Sequence, residues 1–184
     1  MNRSSWHERL TAGESRWCLR LNRLLCGRSR SRACFAVVSR LGDGPFWYAL
    51  MATMVIFDGR DGLLASVHLG VTGAIALSVY TWLKRRTRRP RPFASDLRIR
   101  AWVAPLDEFS FPSGHTLHAV VFSLVAMAHY PMLAWLLVPF TASVAVSRVV
   151  LGLHYPSDVL AATGIGLALA AASLWLAQLA MVVA

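Results

Sequence analysis

Residues 63–83, LLASVHLGVTGAIALSVYTWL, form an apolar run of 21 residues without a single Lys, Arg, Asp or Glu. About 20 such residues in a helix span the hydrocarbon core of a bilayer. The run ends at residues 84–92, KRRTRRPRP, where basic side chains replace the apolar ones and two prolines stop a helix. Basic residues also collect where a helix leaves a membrane. This stretch therefore predicts a transmembrane helix that ends near residue 84.

Other apolar runs lie on both sides of this helix, and 56% of the 184 residues are hydrophobic while 15% are charged. An average soluble domain is about 25% charged. The further predicted helices are 46–57, which is short for a span, 116–130, 132–150 and 159–184. The pattern predicts an all-α fold, a polytopic membrane helix bundle with about five to six transmembrane helices.

The amino-terminal part of the chain differs from the rest because it holds nine arginines within residues 1–40 and no long apolar run. Residues 15–27 predict an amphipathic helix at the membrane interface, with its arginines away from the apolar face. That face would consist of Trp17, Cys18, Leu21, Leu24 and Leu25. We therefore divide the chain into a basic amphipathic amino-terminal segment, 1–45, and a membrane-embedded domain, 46–184.

The net charge of +10 and the pI near 11.0 raise the question of nucleic acid. A soluble nucleic-acid-binding module needs no long apolar runs, and no recognition motif for one is present. The basic residues instead flank the predicted helices, where they face anionic lipid. Cys18, Cys26 and Cys34 are spaced by eight residues, which fits packing residues rather than a metal site. The expected partners are membrane lipids and not nucleic acid.

Three polar motifs lie at the ends of the predicted helices. The first ends one helix, the second begins the next, and the third lies between the last two, so all three share one membrane face. They are Lys84-x6-Arg91-Pro92, Pro112-Ser113-Gly114-His115 and Ser147-Arg148-x5-His154-x3-Asp158. Their cations, histidines and carboxylate are ingredients of phosphoryl transfer. The sequence thus predicts a phosphate-handling site at the edge of a membrane.

The second motif is typical of an anion site at a helix start. Proline, serine and glycine around the first turn leave backbone N–H groups free to bind an anion. Ser113 adds a hydroxyl, Gly114 allows close approach of a phosphate, and His115 is placed for proton donation. The alternative is an ordinary capped helix with a histidine at the interface.

The third motif places an Asp four residues after a His, so that the carboxylate can bond one imidazole nitrogen and leave the other as a nucleophile. Asp158 and His154 have this spacing, and Arg148 supplies a forked donor for phosphoryl oxygens. Alternatively, Asp158 caps the last helix and Arg148 only extends to the interface. We favour the functional interpretation because a charge within an apolar helix is expensive. Spacing alone does not distinguish Lys84 and Arg91 from the neighbouring arginines.

Together the three motifs resemble the tripartite signature of the phosphatidic acid phosphatase type 2 superfamily, which shares its active site with vanadium haloperoxidases. The match has no gap or substitution and covers residues 84–158. The resemblance implies that His154 is the nucleophile that forms a phosphohistidine, that Asp158 orients it and that His115 is the general acid. It also implies that the phosphoryl oxygens are held by Lys84, Arg91, Ser113, Gly114 and Arg148.

The resemblance further implies that neither a metal nor a cofactor takes part. Asp107 and Glu108 form the only carboxylate pair near a motif, and we interpret them as solvated connector residues rather than a metal site. The implied protein is a small, multi-pass lipid phosphatase of a bacterial inner or plasma membrane.

Membrane embedding favours a lipid phosphate or diphosphate as the substrate. The resemblance suggests undecaprenyl or another isoprenyl diphosphate first, with phosphatidylglycerophosphate, phosphatidate and lipid A phosphates as alternatives. A lipid phosphotransferase would use the same residues, whereas a haloperoxidase would be large and soluble. A protein that only binds anionic lipids would need the cations but not His115, His154 and Asp158. The sequence leaves the oligomeric state open.

The distribution of basic residues bears on orientation. If 46–57 and 63–83 are consecutive spans, 18 of the 19 Lys and Arg residues, all but Arg60, lie on the face of the motifs. The positive-inside rule then places this face in the cytoplasm, whereas many bacterial members of the family that the chain resembles act on the outer face. A further crossing within 16–45 would reverse the orientation, but that stretch is too charged to span.

Overall fold

The computed structural model describes the backbone of residues 3–183 and the side chains of residues 13–180, and the regular structure in this part of the chain is helical throughout. Its α-helices are α1 (Arg3–Cys26), α2 (Ser29–Leu41), α3 (Pro45–Thr87), α4 (Pro92–Ser95), α5 (Gly114–His129), α6 (Ala134–Val150) and α7 (Pro156–Val183). A short 3₁₀ helix, Pro131–Leu133, joins α5 to α6. The predicted all-α fold is confirmed. The predicted last span reached Ala184, which lies outside the described residues.

Helix α3 is a hairpin of two antiparallel arms, a first arm of residues 45–58 and a second arm of residues 60–87. Gly59 separates them with φ 52° and ψ −116°, a conformation outside the helical region that glycine adopts without strain. Beyond the turn, Ser66 Oγ donates a hydrogen bond of 3.1 Å to Met51 O. The predicted turn at 58–62 and the two helices on either side of it are therefore present.

Within the described residues, three segments are long and apolar enough to cross a membrane: Pro45–Ser95, which contains both arms of α3, Pro131–Val150 and Pro156–Ala180. Helix α5 has 16 residues and is about 24 Å long, which is shorter than a hydrocarbon core of about 30 Å. It nevertheless runs beside the others from one end of the bundle to the other. The chain is thus a multi-pass membrane protein, and the predicted count of helices holds only approximately.

Helix α5 is the centre of the bundle and packs against α3, α6 and α7. On one side, its Ala119 and Val125 belong to a buried cluster with Trp47 of the first arm. On another side, Leu117 packs with Ala162 of α7. Small residues allow the close approach, as predicted for α7, since a Cβ added at Gly166 would lie 2.9 Å from Val120. The ends of α5 therefore fix where its neighbours begin and end.

We call the end of the bundle that carries Lys84, His115 and His154 the motif end. The distal end is the opposite one, formed by residues 58–61 and 129–131. Helices α1 and α2 contact the motif end: Asn22 donates hydrogen bonds to Val150 O and Arg100 O, at 2.9 and 3.0 Å.

The apolar face predicted for the amino-terminal helix is confirmed in part. Cys18 is buried, and Leu21 and Leu25 pack against buried clusters of the bundle, whereas Trp17 and Leu24 are 60% and 65% exposed. Asn22 is buried as well, because the last turn of α6 presents backbone carbonyls that an amide donor satisfies better than an apolar side chain. Trp17 and Leu24 lie on the outer side of α1, where an interfacial helix contacts lipid.

The prediction that the cysteines are packing residues holds for Cys18 and Cys26, which are buried, but not for Cys34, which is exposed.

The division of the chain at residue 45 stays a prediction. Helices α1 and α2 contact the same end of the bundle that carries the three motifs, so they bear directly on the candidate site.

Candidate active site

The three motifs meet at the motif end, around a cavity of about 380 Å³. Lys84 comes from the last turn of the second arm, and Arg91 from the segment that follows it. Gly114 and His115 begin α5. Arg148 lies in the last turn of α6, and His154 in the loop before α7. The motif residues that line the cavity are Lys84, Arg91, Gly114, His115, Arg148 and His154.

The end of α3 determines how the first motif is arranged. Arg88 adopts the left-handed conformation, with φ 47° and ψ 31°, and its N–H donates to Lys84 O, which closes the helix. The two prolines prevent a new helix before residue 92, so Arg91 is extended, with φ −76° and ψ 156°. Its guanidinium then turns back into the bundle, where Nη1 donates to Leu153 O at 3.0 Å.

Two of the cations of the site share one carboxylate. Lys84 Nζ and Arg91 Nη2 both contact Asp107 Oδ1, at 2.6 and 2.8 Å, and Arg91 Nε donates to Asp107 O at 3.1 Å. The prediction that Asp107 and Glu108 are solvated connector residues is therefore wrong for Asp107. Burial raises the pKa of Asp107, but the hydrogen bond and charge of Lys84 and the charge of Arg91 outweigh it, so the pKa lies below its usual value.

Arg148, the third cation, has no carboxylate partner. It is 2% exposed, and its Nη1 donates a hydrogen bond to Ser39 Oγ. Its Nε finds no hydrogen-bond partner among the described residues, and none of their carboxylates forms an ion pair with it. A buried charge is costly unless it is paired. Among the described residues, the three buried cations thus have ion pairs with one carboxylate, Asp107, although Asp43 also lines the cavity. Such an excess of positive charge can bind an anion.

His154 is fully buried beside these cations. Its Nε2 lies 3.3 Å from Arg91 Nη1, and because arginine can only donate, Nε2 must carry its lone pair. Burial, followed by the charges of Arg148, Arg91 and Lys84, lowers the pKa of His154 well below its ordinary value. The imidazole is therefore neutral, with its proton on Nδ1 and a free lone pair on the nitrogen that faces the cations.

Asp158 lies next to His154 but is bonded to other groups. His154 Nδ1 is 3.6 Å from Asp158 Oδ2, beyond hydrogen-bond distance, and has no partner within residues 13–180. Asp158 accepts hydrogen bonds from Tyr155 N at 2.8 Å and Arg89 Nη1 at 2.7 Å. The carboxylate thus caps the start of α7 and also faces the imidazole proton, so both interpretations of its spacing fit the geometry.

Ser113 does not line the cavity. It is the N-cap of α5, with its Oγ 2.9 Å from Thr116 Oγ1 and 3.5 Å from the Thr116 N–H. The alternative of an ordinary helix cap therefore describes its side chain in this structure. The neighbouring Gly114 does line the cavity.

Sequence reasoning missed three contributors. Asp43 Oδ1 contacts His115 Nε2, and Asp107 binds two cations. Arg89 was one of several equivalent arginines in the sequence, but it bonds Asp158 and pairs with Glu14 at 2.6 Å. Only Asp43 could have been noticed from the sequence. It lies in a Gly-Asp-Gly-Pro turn, and the order of the predicted helices places that turn on the motif face. Residues 13–180 hold no cluster of three His, Cys, Asp or Glu side chains suited to a metal ion.

The same cavity continues as an apolar groove between the two arms of α3. Tyr48 and Met51 line it on the first arm, and Gly70 and Leu77 on the second. Gly70 precedes Lys84 by 14 residues, so the groove extends about 21 Å along the helix from the cations. Tyr48 and Leu77, at 69% and 48% exposed, lie at its outer edge. The polar site therefore opens sideways into an apolar groove that faces the membrane.

Comparison with known proteins agrees with the three motifs. A family model described as PAP2 superfamily matches residues 65–181. Phosphatidylglycerophosphatase B of Escherichia coli strain K12 is 28% identical over 176 residues, covering 71% of this chain and 64% of that protein. The chain thus spans less than two thirds of the length of that relative.

Two further relatives have names that refer to polyprenyl lipids. The decaprenylphosphoryl-5-phosphoribose phosphatase of Mycolicibacterium smegmatis is 30% identical over 152 residues, covering 80% of this chain and 79% of that protein. The undecaprenyl-diphosphatase BcrC of Bacillus subtilis is 29% identical over 114 residues, covering 61% of this chain and 58% of that protein.

Solved structures share the fold. A transmembrane PAP2 type phosphatidylglycerolphosphate phosphatase from Bacillus subtilis superposes with a TM-score of 0.70 at 22% identity, over 92% of this chain and 86% of that one. Aquifex aeolicus LpxE gives a TM-score of 0.66 at 24% identity, over 85% of this chain and 93% of that one. At these identities the likeness shows the arrangement of the helices.

Proposed function

Because the chain belongs to the PAP2 superfamily, we propose that it is an integral membrane phosphatase that hydrolyses a lipid phosphate or diphosphate through a phosphohistidine. The observation that carries the proposal is the composition of the site. Three buried cations surround the unprotonated nitrogen of a neutral imidazole, at the mouth of an apolar groove. An anionic head group with a lipid tail is complementary to both parts.

The cations bind the phosphoryl group and stabilise charge in the transition state. Arg148 has donor groups free for phosphoryl oxygens, and Lys84 and Arg91 exchange Asp107 for the substrate. The N–H of Gly114 and the hydroxyl of Ser113 are further donors at the start of α5. For Ser113 to act in this way, its hydroxyl has to turn away from Thr116.

In the first half of the reaction, the lone pair of His154 Nε2 attacks phosphorus and an N–P bond forms. The P–O bond to the lipid breaks, its electron pair stays on the leaving oxygen, and His115 donates a proton to that oxygen. Asp158 faces the Nδ1 proton of His154 and stabilises the positive charge that the imidazole acquires. The products are a phosphohistidine and the dephosphorylated or monophosphorylated lipid.

In the second half, a water molecule attacks the phosphohistidine. The water gives a proton to His115, its oxygen binds phosphorus, and the N–P bond breaks with its electron pair returning to Nε2. Inorganic phosphate leaves, and both histidines regain their starting protonation. No residue outside the chain is needed to balance these two steps.

For the lipid, we favour an isoprenyl diphosphate such as undecaprenyl diphosphate. Two of the similar proteins carry polyprenyl lipids in their names, and an apolar groove leads away from the cations of the site. Phosphatidylglycerophosphate is the second candidate, because it is the substrate named for another relative. Phosphatidate and lipid A phosphates share the chemistry of the head group.

The proposal is tested with full-length protein purified in detergent, EDTA, and each of these lipid phosphates in mixed micelles. We expect release of inorganic phosphate and its loss by about 10⁴-fold or more in His154→Ala. The matched control is His129→Ala, which removes an exposed histidine at the distal end. Undiminished release by His154→Ala would refute the phosphohistidine mechanism.

The same assay separates the remaining alternatives. A lipid phosphotransferase would leave the phosphate on an added lipid alcohol instead of in solution. A protein that only binds anionic lipids would release phosphate from none of them. Transfer of label from [³²P]lipid to the protein, in acid-labile form and absent in His154→Ala, would identify the intermediate directly.

A further inference from the structure

The general-acid candidate His115 has a carboxylate partner outside the three motifs. Asp43 Oδ1 is in direct contact with His115 Nε2, although the two residues are 72 positions apart. The His115 side chain is 9% exposed and that of Asp43 is 30% exposed, so the imidazole is largely buried while the carboxylate is still partly open to solvent. Residue 43 precedes the region that the family model matches. The pair is therefore a property of this folded chain that the tripartite signature does not contain.

The turn that carries Asp43 is held firmly against the bundle. The Asp43 N–H donates a hydrogen bond to Arg40 O at 3.1 Å. Gly42 packs so closely on α6 that an added Cβ would lie 3.3 Å from Val144. Gly44 has φ 141°, a backbone conformation that other residues rarely adopt. Asp43 is thus presented by a fixed turn with little freedom to move away from His115.

One helical turn before Asp43, α2 makes a second contact with the site. Ser39 is fully buried and its Oγ accepts a hydrogen bond from Arg148 Nη1. The carboxyl-terminal end of α2 therefore contacts both the unpaired cation and the candidate acid. Because these two contacts come from one rigid helix end, their positions relative to each other are fixed.

The charges that face His115 come from three elements. Arg148 lies on α6, His118 on the next turn of α5, and Asp43 on the turn after α2. A nearby cation repels a proton on the imidazole, whereas a carboxylate attracts it. Among the described side chains, Asp43 supplies the only carboxylate in contact with His115. Its negative charge offsets the repulsion by the cations, which would otherwise favour loss of the proton from His115.

We propose that Asp43 is the positioning residue of the general acid, holding Nε2–H of His115 so that Nδ1 carries the proton for the leaving oxygen. This inference rests on the proposed function. As the P–O bond breaks, its electron pair stays on the leaving oxygen and the Nδ1 proton passes to it. His115 is then neutral, with its other proton still on Nε2 and directed at Asp43. The attacking water later returns a proton to Nδ1.

The test measures how strongly the reaction depends on the leaving group. A poor leaving group needs the proton from His115, whereas a good one departs without it. Phenyl phosphate and 4-nitrophenyl phosphate are similar in size, but 4-nitrophenolate is a much better leaving group than phenolate. The quantity to measure is kcat/KM, because it reports the steps up to departure of the leaving group. We expect Asp43→Asn to lower kcat/KM for phenyl phosphate by about 10- to 100-fold and for 4-nitrophenyl phosphate by less than about threefold.

The control variant is Asp96→Asn, which removes a carboxylate that pairs with Arg98 on the connector. It should leave the ratio of the two kcat/KM values unchanged. In a His115→Ala background, Asp43→Asn should cause no further loss, since Asp43 acts through His115. Asp43→Glu, which keeps the carboxylate, should restore part of the activity towards phenyl phosphate. Equal losses for both substrates, or additive losses in the double variant, would overturn the proposal.

Two measurements separate this proposal from its alternatives. The inhibition constant of vanadate should be the same in Asp43→Asn and the unchanged protein, because the phosphate cations are intact; a weakened constant would mean that the turn only supports the fold. If the unchanged protein hydrolyses neither phosphate ester nor lipid, the proposed function itself fails. If it does hydrolyse them and Asp43→Asn keeps the leaving-group ratio, only the role of Asp43 fails.

Discussion

Both ends of the bundle pair polar side chains with one another, but among residues 13–180 only the motif end also leaves nitrogens of a cation and an imidazole buried and unpaired. At the distal end, His68 Nδ1 lies 3.1 Å from His129 Nε2, and His68 Nε2 lies 2.7 Å from Ser173 Oγ. At the motif end, Arg148 and His154 each keep a buried nitrogen without a hydrogen-bond partner among residues 13–180. The two ends therefore differ in whether their buried cations and imidazoles are all paired within the described residues.

This difference in pairing separates polar groups that stabilise the fold from polar groups that are expected to bind a ligand. A polar cluster that only stabilises a helix bundle bonds its own groups, because an unpaired buried group costs stability. The motif end instead keeps a buried cation, Arg148, that forms no ion pair with a carboxylate among the described residues. Such an imbalance is expected where a ligand supplies the missing charge.

The two ends should face opposite sides of the membrane. We expect Asp61→Cys at the distal end to react with a membrane-impermeant maleimide in intact cells, and Ser95→Cys at the motif end not to react. The reason is that 18 of 19 Lys and Arg residues lie on the motif face in the predicted topology, which the positive-inside rule places in the cytoplasm. The structure adds that α1 and the end of α2 both contact the motif end, so neither provides the extra crossing that would reverse the orientation.

The labelling experiment needs a background without the exposed Cys34, since Cys18 and Cys26 are buried. Cys34→Ser provides it. Permeabilised cells, in which both engineered cysteines should react, show that each position is accessible. Reaction of Ser95→Cys in intact cells would contradict the cytoplasmic orientation and place the site on the outer face.

Arg148→Met should separate activity from stability. We expect kcat/KM to fall by about 10²- to 10³-fold, because a donor to the phosphoryl group is lost. The midpoint of thermal unfolding in detergent should stay the same or rise, because a buried charge without a carboxylate partner is replaced by an apolar side chain of similar length. Intrinsic tryptophan fluorescence measures the midpoint.

The matched variant at the distal end is Ser173→Ala, which removes a hydroxyl bonded to both His68 and Thr72. It should have the opposite profile, with unchanged kcat/KM and a free energy of unfolding lower by about 1 kcal/mol. If Arg148→Met lost stability as Ser173→Ala does, Arg148 would be a structural residue and the contrast between the ends would disappear.

Much of the fold could be predicted because hydrophobic length and turn residues are local properties of the sequence. The apolar run 63–83 and the turn around Gly59 both appear where they were expected. The packing face of α1 could be predicted only in part. Asn22 is buried because it bonds carbonyls 78 and 128 positions away, and these carbonyls exist only once α6 and the connector are in place.

The residues of the candidate site also fall into those that the sequence could predict and those that it could not. Motif residues could be identified because their spacing is fixed within short segments, and the order of the helices predicted that the segments share one face. Asp43 could not be assigned, since its partner His115 lies 72 positions away. Asp107 lies 16 and 23 positions after its two partners, in a connector without periodicity. A turn can place a residue such as Asp43 on the motif face, but a role that depends on a distant partner leaves no pattern in the local sequence.

Asp107 is the carboxylate that pairs with two of the three buried cations of the site, so its removal should increase the excess of positive charge there. Its Oδ1 contacts both Lys84 and Arg91, and a bound phosphoryl group competes for the same donors. We expect Asp107→Asn to bind vanadate about three- to tenfold more tightly, because the amide keeps the shape of the side chain and removes the competing charge. Inhibition of phosphate release by vanadate measures this constant.

The neighbouring Glu108 offers a matched control, since Glu108→Gln removes the same charge from an exposed side chain one position away. If general electrostatic attraction were the cause, both variants would bind vanadate more tightly by similar factors. If Asp107 instead holds Lys84 and Arg91 in place for the substrate, Asp107→Asn would bind vanadate more weakly, and the carboxylate would be a support of the anion site. A tighter inhibition constant of vanadate confined to Asp107→Asn would mean that the Asp107 carboxylate occupies the cations until the substrate's negative charge replaces it.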